Sequence, residues 1–402
     1  KNPKKNLTNP NKGIQLSVLD SLIQVLNVSY PLLKDDNWKK GDVENFTGAK
    51  GLKECFYFHP KKKTNFHYKR EIIEKHGKIF SQSEIGKYSG KIKNICDCIK
   101  KSKGIVIIFS QFIYGGCVPV ALILEEMGFK RYNHEQSLFK EDYLRTVEPL
   151  NALTMQPRDE GEFKQAHYAM ITGDKNFSYD NKLELIAATN DNNTNGEIIK
   201  VIIISRAGSE GLDFKNIRQV HILEPWYNFN RTEQVIGRGV RNLSHCKLPF
   251  KERNVEIYLY GSELEDPEEE ASDLFLYRLA EEKAKKIGVV SRLLKQNAID
   301  CKLNKPYNMI NYDKNIELLT SSDKTIQYKI KDKPYSGICD FMEDCECDCI
   351  PDNEEIDEND VNKDTYNESF IVMNLDVIFN RIKQLFKEEY VYKESELIAR
   401  IN

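Results

Sequence analysis

The segment from Val201 to Arg241, VIIISRAGSEGLDFKNIRQVHILEPWYNFNRTEQVIGRGVR, limits the possible folds more than any other part of the chain. It opens on four consecutive apolar residues, Val201 to Ile204, a run that suits a strand buried on both faces. A small, polar, Gly-rich loop follows: Ser205-Arg206-Ala207-Gly208-Ser209-Glu210-Gly211-Leu212-Asp213. Such a backbone can approach a phosphate closely. Further on come Gln234, Gly237, Arg238 and Arg241. The spacing of Arg238 and Arg241 predicts one shared turn of helix, and two guanidinium forks on one face suit a polyphosphate.

The alternation extends in both directions. Strands are expected at 105–109, 167–171, 201–204, 219–223 and 255–260, and helices at 91–102, 117–127, 180–189 and 230–240. Strands alternating with helices give an α/β domain with a mainly parallel sheet covered on both faces. Residues 133–162 are too long for a plain connection and read as a surface insertion. Residues 1–13 read as a flexible lead-in; Leu16, Leu19, Leu22, Ile23 and Leu26 then fall at helical spacing. The polar stretch 34–85, broken by Phe56, Tyr57, Phe58, Phe66 and Tyr68, reads as a small accessory region with strands. Residues 263–342 read as a helical extension, with Gly288 ending or breaking its helix. Residues 343–369 form an acidic linker too poor in apolar groups to fold, and 370–402 the start of a winged-helix-like module.

A chain of 402 residues suggests two or three domains, and 40% hydrophobic content is ample for their cores. No apolar run approaches the roughly 18 residues that a membrane span needs. With no signal-peptide pattern, a cytosolic protein is expected. The net charge of -3 carries no global nucleic-acid signature, although Lys61-Lys62-Lys63 and Lys100-Lys101 concentrate positive charge early. Reduced thiols are expected, with one cluster to weigh separately: Cys339, Cys345, Cys347 and Cys349. Four thiols suffice for a tetrahedral zinc, but C-x5-C-x-C-x-C departs from paired C-x2-C spacing. A disordered, acidic, thiol-rich loop fits the same residues, and no metal ligand is assigned.

The Val201–Arg241 segment resembles the fifth and sixth conserved motifs of superfamily 2 helicases and Swi/Snf-type translocases. Ser89-Gly90-Lys91-Ile92, the run Gly104 to Phe112 and Ile171-Thr172-Gly173 are similar to the opening helix and strand ends of the same domain. Within the superfamily, the wording resembles the nucleic-acid-dependent ATPases of large cytoplasmic DNA viruses, namely the early transcription factor small subunit and nucleoside triphosphatase I. The match spans roughly residues 86–262 with specific motifs and 14–85 and 263–300 more loosely. It implies a RecA-like fold: the second of two motor domains. The P-loop G-x-x-x-x-G-K-[ST] and an acidic magnesium-holding pair are missing, so the expectation is a chain whose first motor domain lies elsewhere and which does not turn over ATP alone.

By resemblance, Arg238 and Arg241 are arginine fingers on ATP, and Gln234 contacts nucleotide or the first domain. Gly211 and Asp213 lie at the cleft, Asp213 accepting from a finger arginine or the ribose; a helix cap is the alternative. Ser110, Gln111, Thr172, Gly173, Ser205, Arg206, Gly208 and Ser209 would hold nucleic-acid phosphates along the opposite rim, where ligands meet the carboxyl ends of strands. Trp226 suits base stacking or, more simply, a core or interface. The implied activity is ATP-driven tracking on double-stranded DNA in viral transcription, with Mg²⁺ and ATP held mainly by the missing domain. Viral RNA polymerase or a transcription factor subunit is the implied partner, in the cytoplasmic factory or the virion. A strand-separating DNA or RNA helicase and a non-catalytic docking module for polymerase or promoter DNA remain open.

Overall fold

The computed structural model describes residues 16–33, 42–59, 64–132, 137–157, 162–178, 181–206, 213–266, 268–308, 314–350 and 368–401. The chain divides into two compact units, Lys1–Val290 with Asn311–Cys345, and Ser291–Ile310 with Glu346–Asn402.

The first unit begins with α1 (Leu16–Asn27), α2 (Gly48–Cys55), the two-residue strands β1 (Phe56–Tyr57) and β2 (His67–Tyr68), and α3 (Arg70–His76). The α/β domain follows: α4 (Gly90–Lys101), β3 (Ile105–Phe109), α5 (Val118–Glu126), β4 (Lys130–Arg131), α6 (Glu141–Leu144), β5 (His167–Ile171), α7 (Lys182–Ala188), β6 (Val201–Ile204), β7 (Ile217–Ile222), α8 (Phe229–Gly239) and β8 (Glu256–Leu259). These six strands, β3 to β8, form one sheet in the order β4-β5-β6-β3-β7-β8, every pairing parallel.

Successive side chains of a strand point to opposite faces, and the sheet buries both. Val106 and Ile108 of β3 join a core with Ile92, Ile95 and Ile99 of α4 and Val118 to Leu124 of α5. Ile105, Ile107 and Phe109 face Val235 of α8 and Ala187 and Ala188 of α7. Sheet and helices together make the α/β architecture that the alternation implies, in the RecA-like form that the resemblance implies. Ser89 caps α4, its hydroxyl accepting from the Ile92 amide at 3.0 Å. Polar groups inside β7 are provided for: His221 bonds Tyr260 Oη at 2.8 Å and Gln219 Oε1 at 3.2 Å, and burial pushes its pKa down to about 3.

Several expectations need correction. The aromatic-rich region before α4 is not a separate accessory piece, because Phe56, Phe66, Tyr68 and Phe80 share one apolar cluster with Val106 and Ile108. Nor is the stretch 133–162 a mere surface insertion: Leu138, Phe139, Leu150, Ala152 and Met155 are buried in that cluster. The carboxylate of buried Glu125 anchors its start, accepting from the Leu138 and Phe139 amides at 2.7 and 2.8 Å.

After β8, α9 (Ser272–Gln296) runs straight through Gly288. A Cβ there would lie 1.9 Å from the Asp340 carbonyl oxygen, so the glycine serves a close crossing and not a helix end. Within the expected helical extension lies an antiparallel hairpin, β9 (Lys314–Leu319) and β10 (Thr325–Ile330). Its strands are exposed on both faces, so they carry no alternation of burial to read in advance. The acidic stretch begins in ordered form: Cys345 is disulfide-bonded to Cys339. Residues 1–15 and 351–367 lie outside the described residues.

The second unit holds α10 (Cys301–Asn308), α11 (Glu368–Glu388) and α12 (Glu394–Ile401). Cys349 is bonded to Cys301, Lys305 pairs with Asp348 at 2.7 Å, and Tyr392 Oη donates to the Leu385 carbonyl of α11. The cysteines therefore do not gather on one ion; three of the four are in disulfides, Cys339 with Cys345 and Cys349 with Cys301 outside the cluster. Among the described residues no group of three or more His, Cys, Asp or Glu is placed to hold a metal. Among them, too, no helix is long and apolar enough to cross a membrane.

Overpacking at the Gly288 crossing gives a test of the fold. Gly288→Ala should lower stability by about 1–3 kcal/mol, read as a reduced urea midpoint at unchanged slope.

Candidate functional site

Parallel register places the strand ends in a row. Phe109 of β3 pairs with Ile204 of β6 and Ile222 of β7, and Ile204 pairs with Ile171 of β5. Ser110, Thr172, Ser205 and Leu223 therefore emerge side by side at the carboxyl edge of the sheet. Their hydroxyls turn inward. Ser205 Oγ donates to the Thr172 carbonyl at 2.6 Å, and Thr172 Oγ1 bonds Ser178 Oγ at 3.0 Å. Ser110 is buried, its hydroxyl donating to Glu224 Oε1 at 2.9 Å. These three side chains shape the rim and do not offer free hydroxyls to it. The rim itself is Gln111, Gly173 (φ +71°) and exposed Arg206. Gly208, Ser209 and Gly211 lie outside the described residues.

Beneath the row is a buried polar network that the sequence reading missed. Glu224, which directly follows the β7 end, is fully enclosed. It accepts from the Gln111 amide at 2.5 Å, from Ser110 Oγ and from Asn27 Nδ2 at 2.8 Å. Lys91, the lysine of Ser89-Gly90-Lys91, is also buried and pairs with the fully buried Asp273 at 2.7 Å. Its Nζ reaches the Leu223 carbonyl at 3.3 Å and Asn27 Oδ1 at 3.4 Å. One network thus ties α1, α4, the β3 end, the β7 end and α9. Gly116 packs against it, since a Cβ there would meet Ser110 Oγ at 1.9 Å. A carboxylate immediately after a buried strand was the available signal.

The arginines occupy the opposite edge. Gly239 of α8 lies on β7, a Cβ there falling 2.5 Å from Val220 Cγ2 and 3.3 Å from Ile217 Cγ2. The turn after α8 meets the amino end of β7, Ser244 O accepting from Asn216 N at 3.1 Å. Here the shared helical face must be corrected. Helix α8 stops at Gly239, Val240 is extended, and Arg241 stands beyond the helix. Two glycines in the last turn weaken the helix there. Arg241 Nε instead donates back to the Gly237 carbonyl at 3.0 Å, satisfying one of the terminal carbonyls. Its Nη1 meets Asp213 Oδ1 at 2.5 Å, with a third of the Arg241 side chain and two thirds of Asp213 exposed. Arg238 is half-buried near the helix end and Gln234 is exposed one turn before it. Trp226 is half-buried beneath the Arg231 guanidinium, 4.1 Å from its ring centroid.

Residues 123–242, which hold the Thr172, Ser205 and Arg238–Arg241 segments, match the model of the helicase conserved C-terminal domain. This part of the chain is a helicase C-terminal domain by its sequence. A putative helicase of Invertebrate iridescent virus 3 is 32% identical over 233 residues, 56% of this chain and 21% of that protein. A putative ATP-dependent RNA helicase of Acanthamoeba polyphaga mimivirus is 41% identical over 125 residues, 30% of this chain and 15% of that one. A termination factor NPH-I homolog of African swine fever virus is 30% identical over 275 residues, covering 59% and 37%. The chain thus spans well under half the length of each of these relatives.

Two outcomes follow from the buried network of this helicase domain. Asp273→Ala strands the Lys91 charge and should cost about 3–5 kcal/mol in urea denaturation, whereas replacing both partners by apolar residues should cost much less. Burial raises the Glu224 carboxyl from its usual 4.5 to about 7, against the hydrogen bonds of Gln111 and Ser110, the charge of Lys91 and the Asn27 amide. The native state therefore keeps this proton where the unfolded chain has lost it. The resulting stabilisation is complete below pH 4.5 and is lost as pH rises through about 7. Glu224→Gln should remove that part of the stability-versus-pH curve; a curve parallel to the unsubstituted protein's would contradict the assignment.

Proposed function

We propose that this chain forms the C-terminal lobe of a nucleic-acid-dependent ATPase that tracks along double-stranded DNA in viral transcription. One observation carries the reading: at the amino edge of β7, Arg241 is held by the Gly237 carbonyl and by Asp213 with part of its guanidinium still exposed. A planar fork held in place and one third exposed presents its charge to an oxyanion. No G-x-x-x-x-G-K-[ST] string occurs in the chain, so the lobe that cradles the phosphates is supplied by residues beyond these 402. Similarity to viral helicases and to an NPH-I homolog supports the class of activity.

In this role ATP supplies, when bound, a phosphoryl group whose transition state spreads negative charge over its oxygens. Arg241 offsets that charge, Arg238 adds a second cation from the end of α8, and Asp213 holds Arg241 in place between turnovers. The described residues offer no ligand set for Mg²⁺, which the reading leaves to the P-loop lobe. At the carboxyl edge Gly173 supplies a backbone amide and Arg206 charge to phosphodiesters, beside the Gln111 side chain, with Glu224 and Lys91 beneath them as positioning residues. Contacts of this kind hold a strand without reading its sequence.

In the protein that includes the P-loop lobe, Arg241→Ala should lower DNA-stimulated ATP turnover by about 10³-fold or more. Thermal unfolding should change little, because the side chain is partly exposed and its carboxylate partner more so. Turnover close to that of the unsubstituted protein would overturn the proposal. Stimulation by RNA or single strands in place of duplex DNA would retain the motor and replace its track.

A further inference from the structure

On the sheet face away from α8, a cavity of about 310 Å³ opens between the end of α4, the starts of β7 and β8, and the β9–β10 turn. Four cations line it, Lys101, Lys103, Arg218 and Lys251, against a single carboxylate, Glu256. Glu256 Oε2 already accepts from Gln219 Nε2 and Tyr258 Oη, both at 2.9 Å. Lys251 pairs with Asp323 at 2.8 Å in an exposed contact. Lys101 and Lys103 are exposed and make no ion pair among the described residues.

Arg218 is the informative member, because it is only 8% exposed. Its Nε and Nη2 are held by the carbonyl and Oδ1 of Asn254. Its Nη1 makes no hydrogen bond, and the carboxylate nearest it, Glu252, stands at 3.8 Å. A guanidinium taken out of water is costly unless an anion offsets it, and burial here pulls the Arg218 pKa downward. Its neighbours in the fold offset that charge only in part. Nothing in the ATPase reading uses these residues.

We propose that this cavity is a phosphate-binding subsite, with Arg218 as the fixed charge of its floor and Lys101 and Lys103 closing over the anion from the end of α4. One guanidinium with two ammonium groups suits a tetrahedral dianion better than a flat carboxylate. The volume lies at the lower end of small-molecule pockets, enough for a phosphate and its sugar. The phosphate belongs either to a free phosphorylated compound or to a nucleic-acid backbone, and the two are separable by experiment.

Calorimetric titration of the full chain at low salt with inorganic pyrophosphate, and separately with a short DNA duplex, tests the site. Lys101→Glu/Lys103→Glu should leave the circular dichroism spectrum unchanged and weaken pyrophosphate binding by roughly tenfold or more. If the duplex alone responds, the phosphate is that of a strand, and the slope of log K against log salt should flatten by roughly 2. Equal affinity of chain and variant for both probes, or no binding of either probe by the unsubstituted chain, overturns the proposal. Ser322→Glu, which adds a carboxylate on the exposed β9–β10 turn, should give the same loss and serves if the double variant fails to fold. ATP turnover is not measured, so the outcome is independent of the motor reading.

Discussion

The buried contact between Lys91 and Asp273, with Glu224 beside it, holds the first unit in register. Charges in an apolar interior are tolerated only when nearly every lone pair and proton has a partner. Meeting that demand requires α1, α4, the ends of β3 and β7, and α9 to arrive at one place together. Hydrophobic burial alone would let a helix slide by a turn at small cost; a satisfied ionic network would not. The network lies directly under the row of strand ends. The Ser110–Gln111 turn is consequently held by Glu224, with Cys117 Sγ donating to the Ser110 carbonyl.

This arrangement divides the work of the domain between the two edges of one sheet. At the carboxyl edge, hydroxyls and most amides are consumed internally, leaving Gly173 and Arg206 to face outward. At the amino edge, the arginine after α8 bonds the Gly237 carbonyl and the exposed Asp213 carboxylate. A rigid rim suits a track that must be held in constant geometry. In the proposed function, Arg241, one third exposed, meets its ligand only when another lobe closes over it.

The disulfides and the hairpin show how far local composition misleads. An acidic stretch low in apolar residues looks unable to fold, yet cross-links at Cys345 and Cys349 order its beginning without any core of its own. Gly288 has the look of a helix stop and is instead the point where a loop backbone crosses α9. Glycine permits both uses, and the choice rests on what lies opposite.

The sequence by itself determined the α/β alternation, the parallel buried strands, the strand-end residues and the helicase character of the Val201–Arg241 segment. Those features are local: periodicities of two and of three to four residues, and short loops after apolar runs, are written in consecutive positions. Tertiary structure alone decided that Ser110, Thr172 and Ser205 spend their hydroxyls internally, that Arg241 meets the expected Asp213 from beyond the end of its helix, and that Lys91 finds Asp273. Each depends on a partner between 6 and 182 positions away. A pairing at that distance is settled by which elements share a core, and no local pattern records it.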